Sequence, residues 1–168
     1  GIAYASFYDV RVRHAKIGIE VLEADNTSFV NSNTFFHGVV SGGGFDYAVL
    51  VNGGNNNVFN ATVIEPQSSG FGHLVVNDGQ IIGENIRIEA VQQTNGVPVI
   101  KFGVNASQSR ISGFYAGGLI VNNGNNIVEL ASSNTIGEQN SNVNLFVNAA
   151  FNCYSTNNIP DFWAISNS

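Results

Sequence analysis

Five segments of the chain repeat one plan, and this repeat restricts the possible folds more than any other feature. Each segment holds a short apolar strand with alternating residues, a corner of Asn, Gly or Asp, and a second short strand. When one apolar residue of each first strand is taken as equivalent, the successive offsets are 30, 25, 26 and 19 residues. These equivalent residues are Val21, Val51, Val76, Phe102 and Val121.

Periods in the twenties are too short for a strand–helix–strand unit, which needs about 30 residues or more. No stretch combines a period of about 3.6 residues with helix caps either. A coil of two or three short strands fits, with each strand pairing with its equivalent one turn away. The sequence therefore predicts an all-β fold, a right-handed parallel β-helix of about four or five coils. Its corners would accept insertions, which explains the unequal offsets.

Polar corner residues recur at nearly the same place after the aligned apolar residue. Asn and Asp tolerate left-handed backbone conformations and bond to their own backbone, as a sharp corner requires. When coils stack at about 4.8 Å, identical Asn side chains can also bond to each other in a ladder. A polar turn without a ladder is the alternative. The residues concerned are Asp25, Asn55, Asn105 and Asn125.

The repeat fades near residue 136, which divides the chain into two parts of one domain. Residues 1–136 are predicted to form the β-helix coils, and residues 137–168 a segment that caps the helix or contacts a partner chain. This C-terminal segment is rich in aromatic residues and holds the only tryptophan, Trp163, and the only cysteine, Cys153. A single cysteine excludes an internal disulfide and a cysteine-based zinc site.

The charge balance excludes several classes of partner. Twelve acidic residues against six basic ones give a net charge of −6, and charged residues are only 11% of the chain. Nucleic-acid binding needs clustered basic residues, and a membrane span needs about 18 or more apolar residues in a row. We therefore expect no nucleic-acid partner, no membrane insertion, no metal and no cofactor. The start of the sequence does not have the pattern of a signal peptide, and the sequence holds no Met, so we expect the chain to be a mature or excised fragment.

The motifs in residues 47–60 and 122–128 resemble those of pectate-lyase-like right-handed β-helix proteins, and most of all bacteriophage tailspikes and tail fibres. The resemblance extends over residues 5–136. It implies a homotrimer in the phage tail of the virion that recognises host cell-surface polysaccharide outside the host cell during adsorption. It also leaves open a polysaccharide depolymerase, either a hydrolase or a lyase, and a purely structural trimeric shaft. Because this fold carries all three roles, the site must decide between them.

Two glutamates are the candidate catalytic pair. Glu65 lies 14 residues after Val51, and Glu89 lies 13 residues after Val76, so both fall on the same face of adjacent coils. A glycosidase needs two carboxylates about 5–9.5 Å apart. Arg87, two residues before Glu89, would share that outward face and orient a sugar. The alternative is a solvated face with one salt bridge.

A second group of residues is predicted to bind substrate. Asp46 and Tyr47 precede the strand of the second coil, while His73 opens the equivalent strand one coil later. A carboxylate, an aromatic ring and an imidazole placed together can bind a glycan and transfer protons. Alternatively, they are polar residues of the coil edge, with His73 bonded to a backbone carbonyl. Trp163 would either stack on a sugar ring or pack in the C-terminal cap.

Overall fold

A computed structural model describes residues 1–25, 28–89, 96–116, 118–132 and 144–145. Those residues form β-strands and connecting turns, and no helix that could span a membrane is found among them. In chain order the strands are β1 (Ile2–Ala3), β2 (Ser6–Tyr8), β3 (Arg11–Arg13), β4 (Ile17–Leu22), β5 (Val30–Asn31), β6 (Thr34–Phe36), β7 (Val39–Gly42), β8 (Phe45–Asn52), β9 (Asn57–Asn60), β10 (Val63–Pro66), β11 (Ser69–Gly79), β12 (Ile81–Glu89), β13 (Pro98–Ala106), β14 (Arg110–Ala116), β15 (Leu119–Asn122), β16 (Ile127–Ser132) and β17 (Asn144–Leu145).

Every strand pair in the described ranges is parallel and joins neighbouring coils. Strands β4, β8, β11, β13 and β15 form a five-stranded sheet. A ten-stranded sheet begins as two columns, β2–β6–β9 and β3–β7–β10, which merge in the long strand β12. The chain is thus a parallel β-solenoid of about four turns, which confirms the predicted all-β, parallel β-helix fold.

Most of the predicted register is present in the five-stranded sheet. Apolar residues one coil apart are paired directly, and their side chains are buried in the core. Because alternate residues of a strand face opposite sides, the residues between them face outward. The predicted equivalents that pair in this way are Val21, Val51, Val76 and Phe102.

The last predicted equivalence is wrong by one residue. Phe102 pairs with Asn122, not with Val121, after an irregularity near the start of β13. A slip of one residue moves every side chain to the other face of the sheet. Asn122 can occupy the inward position because its buried amide is satisfied: its Nδ2 donates to the backbone oxygen of Asn126 at 3.1 Å. Val121 therefore faces outward.

The core is continuous along the axis. Phe7, Phe35 and Phe59, on β2, β6 and β9, stack with successive ring centroids 4.7 and 4.8 Å apart. Aliphatic side chains continue the core in the later coils, and burial of each such side chain is worth about 1.5–3 kcal/mol. This interior holds the strands at a fixed register, so the side chains on the outer face also have fixed neighbours.

The hydrogen-bonded asparagine ladder consists of residues other than those predicted. Asn33 and Asn57 are buried in adjacent coils, and the Nδ2 of Asn33 donates to the Oδ1 of Asn57 at 3.0 Å. A hydrogen bond between two side-chain amides is stronger in the interior, where water does not compete for the same groups. The left-handed residue at this corner is Asn56, with a φ of 56°. The residues predicted to form the ladder are exposed: Asp25, Asn55, Asn105 and Asn125.

The C-terminal segment 137–168 contributes one described strand. β17 pairs with β16 and extends the ten-stranded sheet. Trp163, Cys153 and the aromatic residues predicted to form a cap lie outside the described residues. The boundary at residue 136 and the cap therefore stay predictions.

Candidate functional site

The outer face of the five-stranded sheet carries an open groove of about 380 Å³. Strands β11, β13 and β15 supply its floor, because their outward residues alternate with residues of the core. The first residues of β13 and the turn that precedes it complete the rim. The lining residues with a bearing on function are Tyr47, Phe71, Val75, Asn77, Lys101 and Val121.

Two aromatic rings form one wall of this groove. Tyr47 in β8 and Phe71 in β11 stack with their centroids 5.3 Å apart and their planes inclined by 29°. The register between the two strands shifts between Ser69 and Gly72, so β11 bulges where it carries Phe71. Gly72 has a φ of 151°, and a Cβ there would collide with Val75. At this bulge the ring of Phe71 is 58% exposed.

Two polar side chains, Asn77 and Lys101, face the same groove. The Nδ2 of Asn77 donates to the Oδ1 of Asn52 at 2.9 Å, which orients the Asn77 amide. Lys101 is paired with Val75 on one neighbouring strand and with Val121 on the other. Within the described part of the chain, Lys101 makes no ion pair and its ammonium makes no hydrogen bond.

These groups are suited to binding a ligand through apolar, amide and ammonium contacts. None of the described residues that line the groove is Asp, Glu or His. Apolar and aromatic walls with a few polar groups are typical of small-molecule sites. A flat ring can cover the apolar face of a sugar, while amide and ammonium groups bond to its oxygens. In the described ranges no three His, Cys, Asp or Glu side chains are grouped to hold a metal.

Comparison with known proteins does not assign a function. No protein-family model, curated protein or solved structure matches this chain. A solenoid fold by itself is compatible with many functions. The role of the groove must therefore be argued from its own residues.

Glu65 and Glu89, the predicted catalytic pair, are neighbours on the ten-stranded sheet. Ile64 of β10 pairs with Ile88 of β12, and the two glutamates are the next residues on these strands. Adjacent strands lie about 4.8 Å apart, which is compatible with the carboxyl spacing of about 5–5.5 Å in retaining glycosidases. Both glutamates are half-buried, and neither lines the groove of Tyr47.

Arg87 binds its own neighbours on that sheet. Its guanidinium forms an ion pair with Glu89. It also lies over the ring of Phe114, 5.8 Å from the centroid, within the range of a cation–π contact. These contacts place Arg87 on the outer face as predicted. They also neutralise Glu89, which agrees with the alternative of a solvated face with one salt bridge.

The three residues predicted to bind substrate together lie on neighbouring positions of β8 and β11, but their side chains have different surroundings. Tyr47 lines the groove, whereas Asp46 is half-buried and is not part of the lining. His73 is fully buried, with its Nδ1 2.7 Å from the Oγ of Ser69. Its Nε2 makes no hydrogen bond of standard geometry among the described residues. A glycan on the surface therefore cannot reach His73.

Burial also changes the chemistry of His73. Desolvation lowers its pKa to about 4, and a backbone group of Glu89 offsets only part of this decrease. The imidazole is therefore neutral at pH 7. We interpret the Ser69–His73 pair as a polar element of the core.

Sequence reasoning missed Phe71, Asn77 and Lys101 as groove residues. Glycines flank Phe71 on both sides, and such glycines are typical of a bulge that can turn a ring outward. Lys101 interrupts an otherwise apolar strand at an outward position. Such a charged residue was a usable signal once the register of the coils was known.

Proposed function

We propose that this protein binds a polysaccharide in the groove of the five-stranded sheet, as a domain of a phage tailspike or tail fibre. The observation that carries this proposal is the stacked, partly exposed pair Tyr47 and Phe71 beside the oriented amide of Asn77. An aromatic wall binds the CH face of a sugar, and the amide bonds to hydroxyl groups. Neither interaction requires charge, and charge is scarce on this chain.

The solenoid gives this groove a second useful property. Equivalent outward positions recur from strand to strand at about 4.8 Å, and they are held by a rigid core. A polymer of repeating sugars can therefore meet similarly spaced side chains along the sheet. The wider assignment includes a homotrimer in the virion that recognises host-surface polysaccharide during adsorption. It rests on the resemblance of residues 47–60 and 122–128 to tailspike and fibre sequences.

The test compares two aromatic variants with a control from the other sheet. Tyr47→Ala and Phe71→Ala are measured for binding to a panel of bacterial capsular and O-antigen polysaccharides. Each should weaken binding about tenfold, the equivalent of about 1.4 kcal/mol. Tyr8→Ala is the control, because Tyr8 is also exposed and also stacks on a phenylalanine, but on the ten-stranded sheet. If Tyr8→Ala reduces binding and Phe71→Ala leaves it unchanged, the groove is not the binding site.

The second candidate function is depolymerisation of the bound glycan by Glu65 and Glu89. Their adjacent positions on β10 and β12 favour it. The ion pair of Glu89 with Arg87 disfavours Glu89 as the general acid, because that carboxyl group must carry a proton before the reaction. Release of reducing ends or unsaturated sugars from a bound polysaccharide is the assay. If Glu65→Gln and Glu89→Gln retain full release, this pair is not catalytic.

A structural shaft is the remaining alternative from the sequence. It predicts a stable trimer with no affinity for any polymer of the panel. Binding that depends on Tyr47 and Phe71 would exclude this role as the only one.

A further inference from the structure

We propose that the groove selects an acidic sugar, whose carboxylate binds the ammonium of Lys101. This inference deepens the proposed function and rests on it, because it names the class of glycan that the same groove takes. The observation behind it is an unpaired cation at the floor of an otherwise uncharged groove.

Lys101 forms no ion pair with a carboxylate in the described part of the chain. Its partners on the neighbouring strands are Val75 and Val121, which carry no charge. The acidic residue of the same outward row is Glu20, three strands away, at about 14 Å. Residues 90–95, which precede Gly96 in the sequence, hold no acidic residue.

Two of the six basic side chains are neutralised by ion pairs. Arg87 is paired with Glu89, and Arg110 with Glu129 at 2.7 Å. The other four basic side chains, of which only Lys101 lines the groove, form none among the described residues: Arg11, Arg13, Lys16 and Lys101. The sequence holds twice as many acidic as basic residues, yet Lys101 stays without one. The half-buried side chain of Lys101 lies on a strand between two valines, and its ammonium has no counter-charge among the described residues. A ligand carboxylate would supply that charge through a charge-assisted hydrogen bond.

The surrounding groups define where the rest of the sugar lies. The Oδ1 of Asn77 accepts no hydrogen bond from the described residues, so it can accept one from a sugar hydroxyl. Tyr47 and Phe71 then cover the ring of this or the next sugar. A net charge of −6 would repel an anionic polymer from most of the surface. Lys101 would therefore localise it in the groove.

The experiment uses matched polymers. Capsular polysaccharides that contain uronic acids are tested beside the same polymers after chemical reduction of their carboxylates to alcohols. The intact protein should bind the native form about tenfold or more tightly than the reduced form, as expected for a hydrogen bond to a charged group. In Lys101→Gln this ratio should fall towards one. Arg11→Gln removes the same unit charge from β3 on the ten-stranded sheet, and it should keep the full ratio.

The two levels of the proposal fail in different ways. One outcome is that the protein binds native and reduced polymers with equal affinity, and that Phe71→Ala abolishes this binding. That outcome would overturn the acidic-sugar inference and leave the binding function intact. If Lys101→Gln does not change the ratio of the affinities for native and reduced polymers, another residue selects the acidic sugar. That result would overturn the proposed role of Lys101. No binding of any native or reduced polymer would overturn both the inference and the proposed function.

Discussion

His73 is a residue whose burial has a measurable consequence for stability. In the unfolded chain its pKa is about 6.5, whereas in the folded protein burial lowers it to about 4. Between these values the unfolded state binds a proton that the folded state excludes. The stability of the folded state is therefore complete above pH 6.5 and decreases as the pH falls. At pH 4 and below, the free energy of unfolding is lower than at neutral pH by about 3 kcal/mol.

Urea unfolding at pH 7.5, 5.5 and 4.5 measures this effect. His73→Leu should remove most of the decrease between pH 6.5 and 4.5, because leucine fills a similar volume without a titrating group. His14→Gln is the matched control, since His14 is exposed, and it should retain the decrease of the wild type. If His73→Leu keeps the same pH dependence as the wild type, the decrease must come from the carboxylates.

At the scale of the strand, the sequence predicted the fold well because periodicity reports burial directly. Four apolar strands could be aligned, and their core residues are paired in the structure as expected. The alignment failed at Asn122, since pattern reasoning selects the apolar Val121 for the inward position. Local hydrogen bonds of Asn122 with Asn126 and with the backbone N–H of Gly124 make the inward amide acceptable, and a long-range pattern does not reveal bonds of this kind.

The same limit explains the asparagine ladder. The sequence predicted that asparagines of neighbouring coils bond to each other, and Asn33 and Asn57 do so. It selected the wrong members, because an exposed corner asparagine such as Asn55 and a buried one look identical in composition. Burial depends on which residue of the corner turns inward, and the left-handed residue Asn56 decides that here.

The buried ladder makes a sharp prediction for stability. The Oδ1 of Asn57 accepts from both the backbone N–H and the Nδ2 of Asn33, and its Nδ2 donates to the oxygen of Val30 at 2.7 Å. Asn57→Ala leaves several of these groups without partners in the interior. An unsatisfied buried group costs about 1–3 kcal/mol, so we expect a loss of about 2–4 kcal/mol in chemical denaturation. Asn55→Ala should change stability by less than about 0.5 kcal/mol, as is usual for exposed positions.

The outcome for Asn55 matters as much as that for Asn57. If both variants lose the same stability, then the corner ladder predicted from the sequence contributes after all. If neither does, the buried amides are replaceable by water or by a shift of the corner.

The groove residues show why sites are harder to predict than folds. Tyr47 could be selected because it adjoins a strand with a clear register. Phe71 faces outward at the bulge in β11, and the bulge depends on a local backbone conformation at Gly72 that apolar periodicity does not encode. Lys101 can be selected as a binding residue only when its neighbours on the adjacent strands are known to be valines. These are properties of pairing between coils, which a single strand does not carry.

At the scale of the whole molecule, each coil is stabilised by its neighbours alone. Strand pairs join only adjacent coils, and the aromatic stack of Phe7, Phe35 and Phe59 also passes from coil to coil. Stability in such a stack is approximately a sum of terms for each coil and for each interface between coils. A strand inside the stack therefore has two interfaces, whereas a strand at its end has one.

This difference predicts a gradient of backbone protection along the five-stranded sheet. β8 and β11 are paired on both sides, while β4 is paired with β8 alone in the described residues. Amides on an edge strand become exposed by local opening at a lower free energy than amides in the centre of a sheet. Hydrogen–deuterium exchange resolved by residue should therefore be slower at Val51 and Val76 than at Glu20 and Leu22 of β4. Equal protection at all four positions would contradict an open edge and would indicate that another strand covers β4 in solution.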